Sequence, residues 1–169
     1  MEISELNFAA LRLEVRDALC GVALLASVAA LPLPAAAELG GDESSVLRQQ
    51  ARMKATHSAT AASQFTMHEL RRADGSTIRE YLGANGIVFA VAWDTRYKPN
   101  LKDLFGTSYP TYDAAVREEM RRPGVRRQFG IRQPQLVVSS TSNQQQVFRG
   151  RAWVPTLVPA GLDPSLIVK

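Results

Sequence analysis

The chain has 169 residues, 46% hydrophobic and 21% charged, with a net charge of +4, one cysteine and two histidines. So few cysteines and histidines exclude a disulfide-stapled scaffold and a cysteine- and histidine-rich zinc site. Length and hydrophobic content are those of a small globular domain and not of a disordered chain.

The first feature in chain order is an apolar stretch over residues 18–37. Arg12 and Arg16 precede the run 19–33, Pro32 and Pro34 break it, and Ala35-Ala36-Ala37 supplies small residues for cleavage. That order is the order of a secretory signal, and the run is shorter than the roughly 20 apolar residues of a membrane span. Residues 1–37 are therefore expected to be a cleavable signal peptide, leaving Glu38 first and placing the protein in the periplasm or outside the cell, with no transmembrane span after processing. Glu2, Glu5, Glu14 and Asp17 make the leading segment acidic, as it would be if translation began near Leu13 or Val15. The tetrapeptide Asp17-Ala18-Leu19-Cys20 is a poor lipid-attachment signal, because an acid occupies an apolar position. Processing removes Cys20, four acids and two arginines, leaving 18 basic and 12 acidic residues, a net +6, and no cysteine. Thiolate chemistry is then excluded, and the remaining residues, about 130, form one domain able to bury roughly two-thirds of its unfolded surface.

Residues 40–44 read as a flexible start and 45–55 as a helix, with Asp42 or Ser44 able to cap it and Val46, Leu47, Gln50, Ala51 and Met53 forming a modest apolar stripe. The small polar residues 56–63 read as a linker. Three strands follow over 65–71, 77–82 and 86–93, separated by Ala73-Asp74-Gly75-Ser76 and Ala84-Asn85-Gly86, both turn sequences. The third is apolar on both faces. Strict alternation sets Ile87, Phe89, Val91 and Trp93 against Val88, Ala90 and Ala92, the small face admitting a helix and the large face supplying the main apolar layer.

Residues 100–106 form a short helical turn stopped by Gly106, and residues 111–122 a helix with Tyr112, Ala115, Val116 and Met120 on one face and the pairs Asp113/Arg117 and Glu118/Arg122 on the other. Pro123-Gly124 ends it. A second hairpin spans 135–140 and 146–154 around Ser142-Asn143-Gln144. The tail 155–169 contains Leu157, Val158, Leu162, Leu166 and Ile167 and is expected to pack back on the sheet. The fold class is α+β: a mainly antiparallel sheet of five strands, a three-strand meander plus a C-terminal hairpin, with two or three helices packed on it.

Leu39-Gly40-Gly41-Asp42, His68-Glu69-Leu70, Arg79-Glu80-Tyr81, Gly86 with Val88-Phe89-Ala90-Val91 and Trp93, Gly150-Arg151-Ala152, and Pro159 with Gly161 occur in one order along most of the mature chain. In that order the chain resembles a family of uncharacterised exported bacterial proteins, domain of unknown function 2844. The resemblance implies export and one small domain, and brings no activity with it.

Chemistry-bearing motifs are few. His68-Glu69 opens like a zinc-protease motif, but Arg72 stands where its second histidine belongs and the segment reads as a strand. No nucleophile elbow, phosphate loop or dinucleotide fingerprint occurs, and no catalytic residue, metal ligand or cofactor is expected. Glu69 and Glu80 could face one another across the first hairpin as the acid and base of an envelope hydrolase, about 5–9 Å apart. Pairing of Arg79 with Glu69 across the strands is the simpler arrangement. Arg117, Arg121, Arg122, Arg126, Arg127 and Arg132 form a basic segment suited to an anionic lipid or polymer, tempered by Glu118 and Glu119. Trp93, Tyr97, Tyr109 and Tyr112, joined by Trp153, offer either an aromatic binding surface or core anchors. The functional expectation is an exported, non-catalytic binding or accessory module of the cell envelope that contacts an envelope or secretion protein through a sheet edge or the aromatic end. Nucleic acid is not an expected partner.

Overall fold

A computed structural model describes residues 38–121, 128–142 and 147–169, all within one compact unit, Pro34–Lys169. The expected signal peptide, the Ser142-Asn143-Gln144 turn and the Pro123-Gly124 stop lie wholly or partly outside the described residues. The architecture is α+β on an antiparallel sheet. That sheet has seven strands where the sequence reading expected five, in the order β1-β2-β3-β4-β7-β6-β5.

The described chain starts pinned and not flexible. Leu39 N–H donates to the Leu104 carbonyl, Gly40 N–H to Val88, and Val88 N–H back to Gly41, burying Leu39 completely. Asp42 then caps α1, Glu43–Met53, by accepting from the Ser45 amide, and Lys54 closes it in a left-handed conformation. The helix thus begins and ends two residues earlier than expected. Residues 56–61, read as a linker, form β1 (Thr56–Ala61), paired in full register with β2 (Phe65–Arg71). Their small polar side chains carry no periodic signal, and the strand exists because β2 offers an open ladder.

β2, β3 (Thr77–Gly83) and β4 (Val88–Thr95) pair antiparallel. Gly86, at φ 72°, supplies the left-handed position of the second turn, which bulkier residues adopt only under strain. The β3–β4 register slips between Tyr81 and Leu82, so that Tyr81 faces Ala90 while Leu82 faces Val88. This leaves Phe89 as the extra residue of a bulge and overturns the strict alternation. Val88 joins Val91 and Trp93 in the apolar cluster beneath the helices, and Phe89 joins Ala90 and Ala92 on the opposite face.

Helices cover the large-residue face, not the small one. Asn100 caps α2 (Leu101–Phe105), a 3-10 turn (Gly106–Ser108) follows, and α3 runs Tyr109–Met120. Phe105 meets Trp93 at 5.8 Å and Tyr112 at 4.9 Å between ring centroids, and Tyr112 meets Phe129. Met120, expected on the packed face of α3, is 79% exposed. The remaining strands are β5 (Gln128–Gln133), absent from the sequence reading, β6 (Leu136–Ser142) and β7 (Phe148–Trp153), which pairs with β4.

The C-terminal tail covers the other face, as expected. Leu157, Val158, Leu162 and Ile167 pack around Tyr81, Phe89 and Val168, with a short helix, α4, at Pro164–Ile167. Leu166 is exposed, and Val168 takes the buried place. Arg79 donates to the Lys169 carbonyl, the Tyr81 hydroxyl accepts from the Lys169 amide, and Arg151 donates to the Ser165 and Val168 carbonyls. Replacing Arg79 with alanine removes one of these anchors and one of the two arginine partners of Glu69. The expected loss is about 1 kcal/mol in urea titration, with faster amide exchange confined to the last residues of the tail.

Candidate functional site

The β2–β3 register decides the fate of the acidic pair. Glu69 stands opposite Arg79 and His68 opposite Glu80, so Glu69 and Glu80 project from opposite faces of the sheet. The facing-carboxylate arrangement proposed for a hydrolase is therefore absent. Glu69 accepts from Arg79 at 2.8 Å and from Arg71 at 3.1 Å, the cross-strand ion pair expected as the simpler arrangement. Burial would raise its carboxyl, but the two guanidiniums hold it below the usual range.

Glu80 lies under α1, 1% exposed, with no hydrogen-bond partner for Oε2. Burial pushes its carboxyl up to about 7, opposed only by Arg52. Beside it His68 is 2% exposed and lies 2.9 Å from His57 through Nδ1 and Nε2. Burial, and then the His57 charge, lower its basicity. One ring nitrogen in that contact donates and the other accepts, so the pair requires at least one neutral imidazole. Raised carboxyls and depressed histidines are the material of acid–base chemistry. Here both groups are sealed beneath a helix, where a substrate has no access.

At the C-terminal end of α1 the same face opens into a cavity of about 490 Å³, bounded by the β2–β3 turn and the 96–100 loop. Arg52, Lys54, Arg72 and Lys98 line it. Arg52 reaches Asp103 at 3.4 Å and Arg72 reaches Asp74 at 3.7 Å. Lys54 and Lys98 have no ion-pair partner among the described residues. Gln49 contributes to the wall, is 4% exposed, and its Oε1 lacks a hydrogen-bond partner. A smaller hollow of about 240 Å³ on the tail face is also basic, but there Arg79 is bound to Glu69, Arg149 to Asp94, and Arg151 to tail carbonyls.

The aromatic residues divide. Trp93, Tyr109 and Tyr112 belong to or pack against the buried cluster under the helices, the core-anchor alternative. Trp153 packs on the tail face, with Arg151 6.0 Å above its ring. Tyr97 is separate, 67% exposed at the cavity. Of the basic segment, Arg117 pairs with Asp113 as expected, Arg121 pairs with Glu118 at 2.9 Å, and Arg132 is exposed on β5. Arg122, Arg126 and Arg127 lie outside the described residues. Sequence reasoning missed Gln49, Lys54, Arg72 and Lys98. One signal was present, because Val46, Gln49 and Met53 share a helical face on which Gln49 is the polar exception.

Strand β1 adds a second candidate surface. It is the sheet's outer strand, and Thr56-His57-Ser58-Ala59-Thr60-Ala61 contains no Lys, Arg, Asp, Glu or Pro. Its pairing with β2 has no register break. The opposite edge, β5, carries Arg132 and is followed by Pro134, features that discourage strand addition.

Neither the curated proteins nor the solved structures contain a match to this chain. A family model described as a protein of unknown function, DUF2844, matches residues 35–167. That span takes in every described strand and helix, and the chain belongs to the DUF2844 family.

Proposed function

We propose that the protein is an exported, non-catalytic binding module of the bacterial cell envelope that receives an extended segment of an envelope or secretion protein at the edge of β1. The observation that carries this reading is the uncharged, proline-free and regular edge described above. An outer strand presents unpaired backbone donors and acceptors, and natural sheets block that template with charge, proline or a bulge unless it is used. The separation of Glu69 from Glu80 and the burial of His68 favour binding over hydrolysis.

The test is in-cell photocrosslinking from position 60 on β1, with position 132 on β5 as control. A partner captured at position 60 and lost in Ser58→Lys/Thr60→Lys is the expected result. Both positions are exposed, so the double variant should change stability by no more than about 0.5 kcal/mol per site. Equal capture from both edges, or capture indifferent to the lysines, would reject strand addition.

A further inference from the structure

β1 is held to the sheet by little besides its backbone ladder. Five of its six residues are exposed, and none belongs to or packs against an apolar cluster. Among the described residues its side chains make two hydrogen-bonded contacts. Thr56 Oγ1 donates to the Arg71 carbonyl, and His57, the one partly buried residue of the strand, meets His68 on β2.

The imidazole contact counts protons. His57 Nε2 and His68 Nδ1 lie 2.9 Å apart, the ring planes differ by 11°, and the centroid separation of 5.1 Å is close to the greatest that such a contact allows. The rings therefore meet end to end, nearly coplanar, with their nitrogens aimed at one another. One proton fits between such nitrogens and two do not. A neutral pair and a singly charged pair both keep one N–H against one lone pair, and in the charged pair that bond is the stronger. A second proton sets N–H against N–H and puts positive charge on both rings, one of them only 2% exposed.

The surroundings do little to neutralise that charge. Glu80 stands opposite His68 on β3, but burial pushes its carboxyl up to about 7, so it is largely protonated where histidines take up protons, near pH 6.5 and below. On α1, Glu43 favours charged His68 from an exposed position, whereas Arg52, which acts on Glu80, adds positive charge. β1 has no acid, and Glu69 projects from the other face of the sheet. Burial lowers the basicity of His68. A form with β1 undocked admits water to that ring, binds the proton more tightly, and gains population as pH falls.

We propose that the His57–His68 contact is a proton-operated latch, which keeps β1 docked on β2 while at least one imidazole is neutral and releases the strand when both are charged. Release withdraws the edge that receives a partner and so makes binding acid-sensitive. That consequence rests on the strand-addition reading above, whereas the release itself does not.

Amide hydrogen exchange of the purified protein on either side of the histidine range, at about pH 8 and about pH 5, tests the release, with each rate corrected for intrinsic exchange at that pH. Protection of β1 and of the β2 amides paired with it is expected to fall at least about tenfold relative to β3 and β4, the scale of one charge-assisted hydrogen bond. His57→Gln cannot take the second proton, and its β1 protection should be the same at both pH values. Glu80→Gln should keep the acid loss. Protection of β3 and β4 reports in the same experiment that each variant is folded. Unchanged β1 protection in acid, a loss shared equally by β3 and β4, or the same acid loss in His57→Gln would overturn the latch. Photocrosslinking from position 60 then reads the binding step, and capture should fall in acid for the parent and hold for His57→Gln. Capture at neither pH, with acid release of β1 intact, rejects strand addition and leaves the latch standing.

Discussion

Replacing Gly150 with alanine is expected to destabilise the protein by about 3 kcal/mol, at the upper end of the cost of overpacking a filled core. Gly150 sits on β7 opposite Trp93 of β4. A Cβ there would lie 2.2 Å from Trp93 Cζ2, 2.6 Å from Cε2 and 2.9 Å from the Ser139 carbonyl oxygen. The indole has nowhere to retreat, because it is 4% exposed and packed edge-on to Phe105. The Ser139 oxygen belongs to the backbone of β6, so it yields only if the sheet deforms. Gly130 supplies the control. A Cβ there meets nothing nearer than the Val138 oxygen at 3.7 Å, and Gly130→Ala should stay within about 0.5 kcal/mol of the parent. Urea titration of both variants measures the contrast. In a Trp93→Leu background the cost of Gly150→Ala should shrink, since the coupled pair no longer collides. Equal stability of the two alanine variants would show that the indole does not occupy the space over Gly150.

A second large effect is expected from Glu80→Gln, and it depends on pH. An unfolded glutamate titrates near 4.5, whereas Glu80 in the folded protein titrates at about 7. The folded state therefore holds this proton more tightly. The contribution of Glu80 is most favourable below pH 4.5 and is lost as pH rises toward 7, above which a buried carboxylate carries a constant penalty. The difference in titration converts to about 3 kcal/mol. Glutamine has nearly the same shape and no charge to desolvate, so the variant should match the parent near pH 4.5 and exceed it by about 3 kcal/mol at pH 8. His68 acts in the opposite sense. Its lowered basicity means that stability is present above the unfolded histidine range and lost as pH falls through the folded value. Subtracting the pH curve of the parent from that of Glu80→Gln isolates the Glu80 contribution, because His68 is common to both proteins. A pH-independent difference would place Glu80 in solvent.

Much of the fold was legible before any coordinates. Turn sequences around Gly75 and Gly86 delimited three strands, the double-sided apolar run of β4 announced a central strand, and the spaced apolar residues of the tail required a surface to cover. These are local signals, carried by residues whose conformational preference and hydrophobicity act at short range. β1 and β5 had no such signal. Thr-His-Ser-Ala-Thr-Ala is strand only because β2 presents a ladder beside it, and Gln128–Gln133 only because β6 does. The bulge at Phe89 escaped for a related reason. One unpaired residue reverses the facing of every side chain before it, and the slip is set by how two strands meet, not by either strand alone.

The candidate sites divide along the same line. The Arg79–Glu69 pair was foreseeable because it depends on one hairpin register. The aromatic residues were visible, although their letters could not separate core anchors such as Trp93 and Tyr112 from the exposed Tyr97. The cavity draws Gln49 from α1, Lys54 from its C-terminal cap, Arg72 from a turn and Lys98 from a loop, positions spread along the chain and individually ordinary. By itself the sequence determined the α+β class, the central strands and the absence of recognisable catalytic motifs, because those follow from periodicity, turn chemistry and residue supply. Only the tertiary structure decided that Glu69 and Glu80 part company, that Glu80 is buried beneath a helix, and that Lys54 and Lys98, without an ion-pair partner among the described residues, share one hollow. Burial and proximity are properties of the packed chain, created when strands take a register and helices close over one face of the sheet.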